Sequence, residues 1–380
     1  MKKLLFGLLM FMMIINVKAA PALGEKAKSA VLMEASTGEI IFNKNSHEKL
    51  HPASMTKMMS MLLIVEAIEN GNIKWDEMVT VSENASSMGG SQILLETNEK
   101  MSVSDLFKGI AIASGNDAVV ALAEKIAGTE ADFVSMMNKR AKELKMSDTN
   151  FKNPHGLDAT NHYSSAHDMA LLARELVKHE KVLEFTKIYE DYLRENTDRK
   201  IWLVNTNRLV RFYDGVDGLK TGFTEEAGYC LTATAKKDDM RLIAVVMGEE
   251  NSKTRNGEVT AMLDYGFAKY EVIDLLGKKS LDTYKVDKAK EKIVNIVPKE
   301  PVTILQKKNE EGKYKYSVKV DNIKAPIKKG NTVGKVIIKD GNKTVRTIDL
   351  TIDKDVSKAN LWDLYLRYLK EMISGNIIFK

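Results

Sequence analysis

Ser54 and Lys57 are the residues of this chain whose types and spacing could make and break an acyl bond. They stand in His51-Pro52-Ala53-Ser54-Met55-Thr56-Lys57, ahead of an apolar run from Met58 to Ile68. Pro52 fits the start of a helix, where the first turn leaves N–H groups unpaired anyway, and Asn70-Gly71 supplies a stop. A helix beginning near Ser54 would put the serine hydroxyl and the lysine amine three residues apart on one face, at its N-terminal end. A serine hydroxyl is a weak nucleophile at neutral pH, and a lysine held away from water can lose its proton and activate it. The run from Met58 leaves almost no polar side, so this helix should be buried, and its methionines read as core packing rather than a ligand box. Ser-x-x-Lys alone is a weak signal, with on the order of one or two chance matches expected in a chain of this length. Ser46-His47-Glu48-Lys49 is such a match, and it reads as a solvated loop with no apolar helix behind it.

Two further motifs follow in the chain. Ser114-Gly115-Asn116 lies between two helical patterns; Ser-x-Asn is cheap, and Ser82-Glu83-Asn84 is a second copy. Lys220-Thr221-Gly222 enters a strand pattern and should arise by chance in about one chain in ten of this size. Other tempting groups read as ordinary. Ser165-Ala166-His167-Asp168 cannot be a triad, because adjacent residues on a helix do not face each other. His47, His51, His162 and His179 read as surface residues, and Arg255, in a polar stretch between Gly248 and Gly257, as a solvated charge.

The elements that must position these groups are strands at both ends of a region with helices between. Val31 to Met33 and Ile40 to Phe42 form two strands about a turn. Ser102 opens a helix through Leu106, Ile110 and Ile112; Asn116-Asp117 caps another to Gly128; Thr129 to Asp132 has the capping-box arrangement; and a further helix covers Ala166 to Val177. Ile201 to Val204 is extended, and Tyr229 to Ala235 pairs with Leu242 to Met247 around Lys236-Lys237-Asp238-Asp239. One sheet built from distant segments, with a helical cluster beside it, follows from that order. After about Leu275 the pattern changes to short β-runs, with Tyr314, Tyr316, Val318 and Val320 alternating with polar residues. The expected fold is α+β: a mixed catalytic domain with an antiparallel sheet and a helical cluster, a small all-β spacer or docking domain, and a C-terminal amphipathic helix.

The 380 residues, 44 % hydrophobic and 29 % charged, suffice for one large and one small domain. Lys2-Lys3, an apolar run from Leu4 to Val17 and Lys18-Ala19-Ala20-Pro21 make a basic n-region, a short h-region and a small-residue exit. That run is short for a membrane span. Cleavage after Ala19 removes three lysines and no acid, taking the formal charge from +5 to +2 and leaving no nucleic-acid footprint. Cys230, the single cysteine, reads as a small buried apolar side chain; no Cys or His grouping has metal spacing, and no cofactor motif is present. The expected layout is residues 1–19 leader, 20–274 catalytic domain, 275–356 all-β domain and 357–380 tail.

The three motifs in this order are the set of the penicillin-binding proteins and serine β-lactamases. More closely, Pro-Ala-Ser54-Met-Thr-Lys57-Met-Met, Gly89-Gly90-Ser91, Ala113-Ser-Gly-Asn-Asp-Ala118, His155-Gly156-Leu157 and Val216-Asp-Gly-Leu-Lys-Thr-Gly222 with Glu226-Ala-Gly-Tyr229 resemble the low-molecular-mass penicillin-binding D-alanyl-D-alanine carboxypeptidases. The resemblance runs from about Ala30 to the C-terminus. His51 departs from it where an arginine or similar residue is expected, and so does Phe223, where some members carry histidine. The resemblance implies a β-lactamase/transpeptidase-like fold. It also implies acylation of Ser54 by a stem peptide ending in D-Ala-D-Ala, or by a β-lactam, with Lys57 as base. By the same resemblance Ser114 relays a proton to the leaving amine, Asn116 holds the substrate amide and Lys220 sets the field near the serines. Backbone N–H groups of Ser54 and Phe223, next to Gly222, form the oxyanion hole; Thr221 and Arg255 bind the terminal carboxylate; His155 lies on a loop at the rim. Two alternatives stand beside this reading. A serine β-lactamase shares the motifs, although the Glu-x-x-Leu-Asn segment of class A enzymes does not occur. A catalytically silent wall-associated scaffold would not need the intact motif residues.

From Ser357 to Lys380 the tail has Asp363, Arg367, Lys370, Glu371 and Ser374 on one narrow helical stripe, and Leu361, Trp362, Leu364, Tyr365, Leu366, Tyr368, Leu369, Met372 and Ile373 opposite. Gly375 should end this helix, and Ile377, Ile378 and Phe379 add an apolar tip. Such a helix can pack on its own β-domain or lie in a lipid interface, and its terminal position, aromatic content and likeness to the family's tails favour the interface. The expected location is the outer face of the cytoplasmic membrane, held peripherally.

Overall fold

The computed structural model describes residues 23–277, 281, 283–286, 289–291, 293–321 and 323–373. The expected leader, 1–19, and the end of the tail, including Ser374, Gly375 and the apolar tip, lie outside these residues.

The main sheet has five antiparallel strands: β1 (Ser29–Glu34), β2 (Ile40–Lys44), β3 (Val216–Thr224), β4 (Gly228–Lys237) and β5 (Met240–Glu249), in spatial order β2-β1-β5-β4-β3. Both faces are covered, so its inner strands are apolar on both sides rather than alternating with polar residues. Val31 and Met33 of β1, with Ile243, Val245 and Met247 of β5, face the helical cluster. Ala30 and Leu32, with Leu242, Ala244 and Val246, face the other way.

That other face is covered by a helix that was not expected, since the stretch around Arg255 reads only as polar. The helix runs Ser252–Lys269, is capped by Asn251 accepting from the Thr254 N–H, and buries Val259, Met262, Leu263 and Gly266. Gly266 lets it approach the sheet, since a Cβ there would lie 2.5 Å from Leu242 Cδ1. On the helical-cluster side, helix α1 (Lys57–Glu69) is enclosed on nearly all sides, as its composition requires, and packs against α2 (Asn116–Ala127) and α3 (Ala166–Leu176). The Ser252–Lys269 helix is α4. The cap of α2 differs from expectation: Gly115 is the N-cap and makes no side-chain bond, while Asn116 and Asp117 lie inside the first turn. Thr129 caps the next helix through the Asp132 N–H, as its sequence implies. Ile201–Val204 is extended and pairs with Glu190–Leu193, a strand the sequence reading lacked.

The C-terminal all-β part has a five-stranded sheet in the order Thr283–Lys285, Ile293–Pro298, Lys343–Ile352, Gly334–Asp340, Tyr314–Val320. Tyr270–Asp274, directly after α4, pairs with Thr303–Lys307. Arg346 reaches from this part to the β1–β2 turn, donating to the Ser36 carbonyl at 3.1 Å and the Thr303 carbonyl at 2.7 Å, and Ser36 and Thr303 share a hydroxyl contact at 2.9 Å. The last described helix, α5 (Leu361–Ile373), is tied through Arg367, which donates to the Ala289 and Lys290 carbonyls. Its apolar side is open to solvent: Leu361 is 87 % and Trp362 65 % exposed.

Candidate active site

Ser54 does not sit in the long helix. It occupies a single 3-10 turn, Ala53–Thr56, that feeds into α1 at Lys57. This local change of pitch matters, because side chains at i and i+3 eclipse in a three-residue turn whereas they are offset in an α-helix. Lys57 Nζ accordingly lies 3.0 Å from Ser54 Oγ and also donates to the His155 carbonyl at 2.7 Å. The turn is held from two sides by close backbone approach. A Cβ on Gly156, whose φ is +90°, would fall 1.9 Å from the Ala53 carbonyl oxygen, and one on Gly222 would fall 2.8 Å from the Pro52 carbonyl oxygen.

Lys57 and Lys220 are both buried without a carboxylate in direct contact among the described residues. Burial, reinforced by the Lys220 charge and opposed by Asp117, holds the Lys57 amine well below its usual range. Burial, with Arg255 adding repulsion, brings Lys220 down to about 7. Two cations in one dry site cannot both stay charged cheaply, so a neutral amine at Lys57 is the physical outcome. Asp117 does its work from the scaffold: its carboxylate accepts from the backbone N–H of Ile93 and Leu95 and fixes the segment that follows Ser91.

Ser114 terminates a π-helical turn, Gly109–Ala113, in a left-handed conformation with φ 65°. That places its hydroxyl in the same cavity as Ser54, shielded from solvent and without a hydrogen-bond partner among the described residues. Asn116 is similar: Nδ2 donates to the Gly89 carbonyl at 2.7 Å, while Oδ1 has no partner among the described residues. Buried polar atoms are normally satisfied, so the open Ser114 hydroxyl in the cleft, with the open Asn116 Oδ1 two residues on, marks where a polar ligand completes the network.

The cavity encloses about 800 Å3 and is lined by Ser54, Ser114, Thr221, Phe223 and Arg255 among others. Thr221 comes from β3 and hydrogen-bonds Thr206 at 2.7 Å. Arg255 is buried on α4, contrary to the solvated charge read from its surroundings; burial pushes its guanidinium down to about 10, and Asn256 Oδ1 accepts two of its N–H groups. Phe223 is 47 % exposed and its ring centroid lies 4.4 Å from that of Tyr229, making an aromatic rim.

The structure thus gathers Ser54, Lys57, Ser114, Asn116, Lys220, Thr221, Gly222, Phe223 and Arg255. His155 is placed differently from the rim position: its ring is buried and Nε2 points to Glu130 Oε1 at 3.6 Å, while its carbonyl contacts Lys57. His162, read as a surface residue, is buried behind the nucleophile turn against Thr56, and His51 and His179 are part-buried. Ser46 of the decoy motif is buried in its loop rather than solvated. Thr206, Asn205 and Asn207 were missed; the last donates to the Gly218 carbonyl and steadies β3. Their only signal was a polar Asn-Thr-Asn triplet after an apolar strand.

Comparison with known proteins gives the same picture over both parts. The family model described as D-alanyl-D-alanine carboxypeptidase matches residues 16–251, and that of the penicillin-binding protein 5 C-terminal domain matches 270–358. The chain is 49 % identical to D-alanyl-D-alanine carboxypeptidase DacF of Bacillus subtilis over 100 % of both chains. Penicillin-binding protein 5 of Haemophilus influenzae superposes with a TM-score of 0.71 at 33 % identity, covering 90 % of this chain and 99 % of that one. Penicillin-binding protein D2 of Listeria monocytogenes, solved in an ampicillin-bound form, gives 0.59 at 32 % identity, covering 65 % and 100 %.

Proposed function

The chain belongs to the D-alanyl-D-alanine carboxypeptidase family, and on that premise we propose that Ser54 is its nucleophile and Lys57 its base in removing the terminal D-alanine of peptidoglycan stem pentapeptides. The activity is that of a serine peptidase, and neither the β-lactamase nor the scaffold alternative is favoured. The observation that carries the residue roles is the 3.0 Å contact between Ser54 Oγ and a buried Lys57 amine whose proton affinity is depressed.

With Lys57 neutral, the contact reverses its polarity: Ser54 Oγ–H donates to Nζ, and the proton moves there as Oγ bonds to the carbonyl carbon of the D-Ala-D-Ala amide. Backbone N–H groups of Ser54 and Phe223 receive the negative charge that develops on the carbonyl oxygen. Collapse breaks the C–N bond, and the proton on Lys57 passes through the Ser114 hydroxyl to the departing amine. Water then attacks the ester, giving its proton to Lys57, and Ser54 regains one as the C–O bond breaks. Thr221 and Arg255 hold the terminal carboxylate, Asn116 the substrate amide, and Lys220 keeps the field positive around the serines. A β-lactam enters by the same first step. For His155 the support is limited to its carbonyl, which holds the Lys57 amine.

The same reading gives 20–274 to catalysis, 275–356 to a spacer and 357–380 to a peripheral membrane anchor, with residues 1–19 a cleaved export leader. It is supported by the leader composition and by the solvent-facing Leu361, Trp362, Tyr365 and Leu366 of α5. Among the described residues no helix is long and apolar enough to cross a membrane. The site assignment is tested by Ser54→Ala, which should fold normally yet take up no labelled penicillin and release no D-alanine. Persistent labelling of that variant, or equal loss in Ser46→Ala, would overturn it.

A further inference from the structure

His51, two residues before the nucleophile turn, is met by side chains from two distant stretches. Its Nε2 lies 3.2 Å from Glu226 Oε2 and its Nδ1 3.7 Å from Asp158 Oδ1. One donor atom from each of the three residues can be chosen so that all lie within 4.8 Å of one another. The Nδ1 atom is shielded from solvent and has no hydrogen-bond partner among the described residues. Its 3.7 Å separation from Asp158 is too long for a hydrogen bond. It is close to the spacing of about 3.3–3.5 Å that two ligands take around a tetrahedral ion bound at 2.0–2.2 Å.

We propose that His51, Asp158 and Glu226 form a divalent-cation site that takes Zn2+. One imidazole with two carboxylates suits this ion, and two negative charges offset its two positive ones. Asp158 is already oriented, because Thr224 Oγ1 donates to its Oδ1 at 2.8 Å and the Ala227 N–H donates to Thr224 Oγ1 at 3.1 Å. Such outer hydrogen bonds commonly fix metal-binding carboxylates. Glu226 is the adjustable arm: it meets the other ring nitrogen, Nε2, and its side chain, 61 % exposed, has to swing to the Nδ1 side to complete the ligand set. Sequence spacing hid the group because its donors come from positions 51, 158 and 226, and the expectation of no metal motif spoke only to local spacing.

The ion takes no part in the acyl chemistry. It cross-links three segments that converge on the nucleophile turn: the approach to Pro52, the loop of Gly156 that packs on Ala53, and the turn that follows Phe223. Zinc should therefore stabilise the fold in proportion to occupancy, by about 5 °C in melting temperature at a hundredfold excess over its dissociation constant.

The test is calorimetric titration of the chelator-stripped full chain with zinc chloride, paired with the visible absorption of its cobalt(II) form. Wild type should bind one equivalent saturably and give the bands of a low-coordinate cobalt complex. His51→Arg keeps a cation between the two carboxylates but cannot ligate, so it should fold, acylate with penicillin, and lose both signals. Asp158→Asn and Glu226→Gln should weaken binding at least tenfold. His47→Ala, which removes a separate surface pair with Asp148, should leave the equivalent in place. Absence of saturable binding by wild type, or its survival in His51→Arg, overturns the site. A melting temperature that Glu226→Gln lowers equally with and without zinc also overturns it and leaves a simple ionic clasp.

Discussion

A buried histidine behind the nucleophile turn ties the protein's stability to pH. His162 Nδ1 accepts from the Lys152 N–H at 3.1 Å, so the proton of the neutral ring is on Nε2, which meets Thr56 Oγ1 at 2.9 Å. Burial, with His155 and His51 adding repulsion, lowers its pKa from 6.5 to about 4. Between those values the unfolded chain binds more protons than the folded one, so stability rises with pH across the window and is lost as pH falls from 6.5 toward 4. Urea denaturation of wild type at pH 7, 6 and 5 should show this loss, with a slope from this residue of up to about 1.4 kcal/mol per pH unit. His162→Gln should flatten it, and parallel curves for the two proteins would contradict the assignment. Arg255 offers a second residue-scale test. It is a buried guanidinium paired with no carboxylate among the described residues, and its truncation should lower kcat/KM for a D-Ala-D-Ala peptide by about a hundredfold, as loss of a buried charge partner does. Cys230→Ala, which removes packing and weak thiol contacts with the Ala227 and Gly228 carbonyls, should stay near wild type in D-alanine release.

At the scale of elements, the site depends on how closely β3 lies against the nucleophile turn. Gly222→Ala places a methyl group against the Pro52 carbonyl and 3.0 Å from Ala53 Cβ, so one backbone must retreat. The expected result is a folded protein whose penicillin acylation is slowed ten- to a hundredfold, since displacement by a fraction of an ångström is costly when reacting groups are pre-aligned. An unchanged acylation rate would show that the contact is slack. The same elements show what could be read beforehand. The motif residues were legible because catalysis fixes their identity and short spacing, and the sheet strands because short continuous apolar runs bounded by turns are plain. Helix α4 was readable too: Val259, Met262, Leu263 and Gly266 have helical spacing, but two glycines and a polar first turn masked it. The 3-10 turn at Ser54 and the π turn before Ser114 had no such signal, because tertiary packing rather than propensity sets their pitch. His162, Thr206 and Arg255 owe their burial to contacts with residues far away in the chain, which no local window reports.

For the whole molecule, the catalytic part and the all-β part are joined by the Tyr270–Asp274 pairing with Thr303–Lys307, by the contacts of Arg346 and Thr303 with Ser36, and by Glu300, which binds Arg174. The tail should be separable from this unit, because α5 presents its apolar side outward. Truncation before Ser357 should move the protein from the membrane fraction to the soluble one while sparing hydrolysis of small peptides. Retained membrane association would refute the anchor, and an insoluble product would mean that the helix packs on the fold. The position of β1 has a consequence of another kind. Although it is the first of the described strands to leave the ribosome, it lies inside the sheet, and its partner Leu242–Met247 of β5 follows roughly 200 residues later. At about 5–20 residues per second that is a delay of about 10–40 s, during which one edge of β1 has nothing to pair with. The strand carrying Lys220 joins the sheet only through β4 and β5, so no nascent chain that ends before β5 holds an assembled active site. The catalyst exists only once the whole sheet has been translated, so the timing of synthesis itself decides when the chain can first acylate.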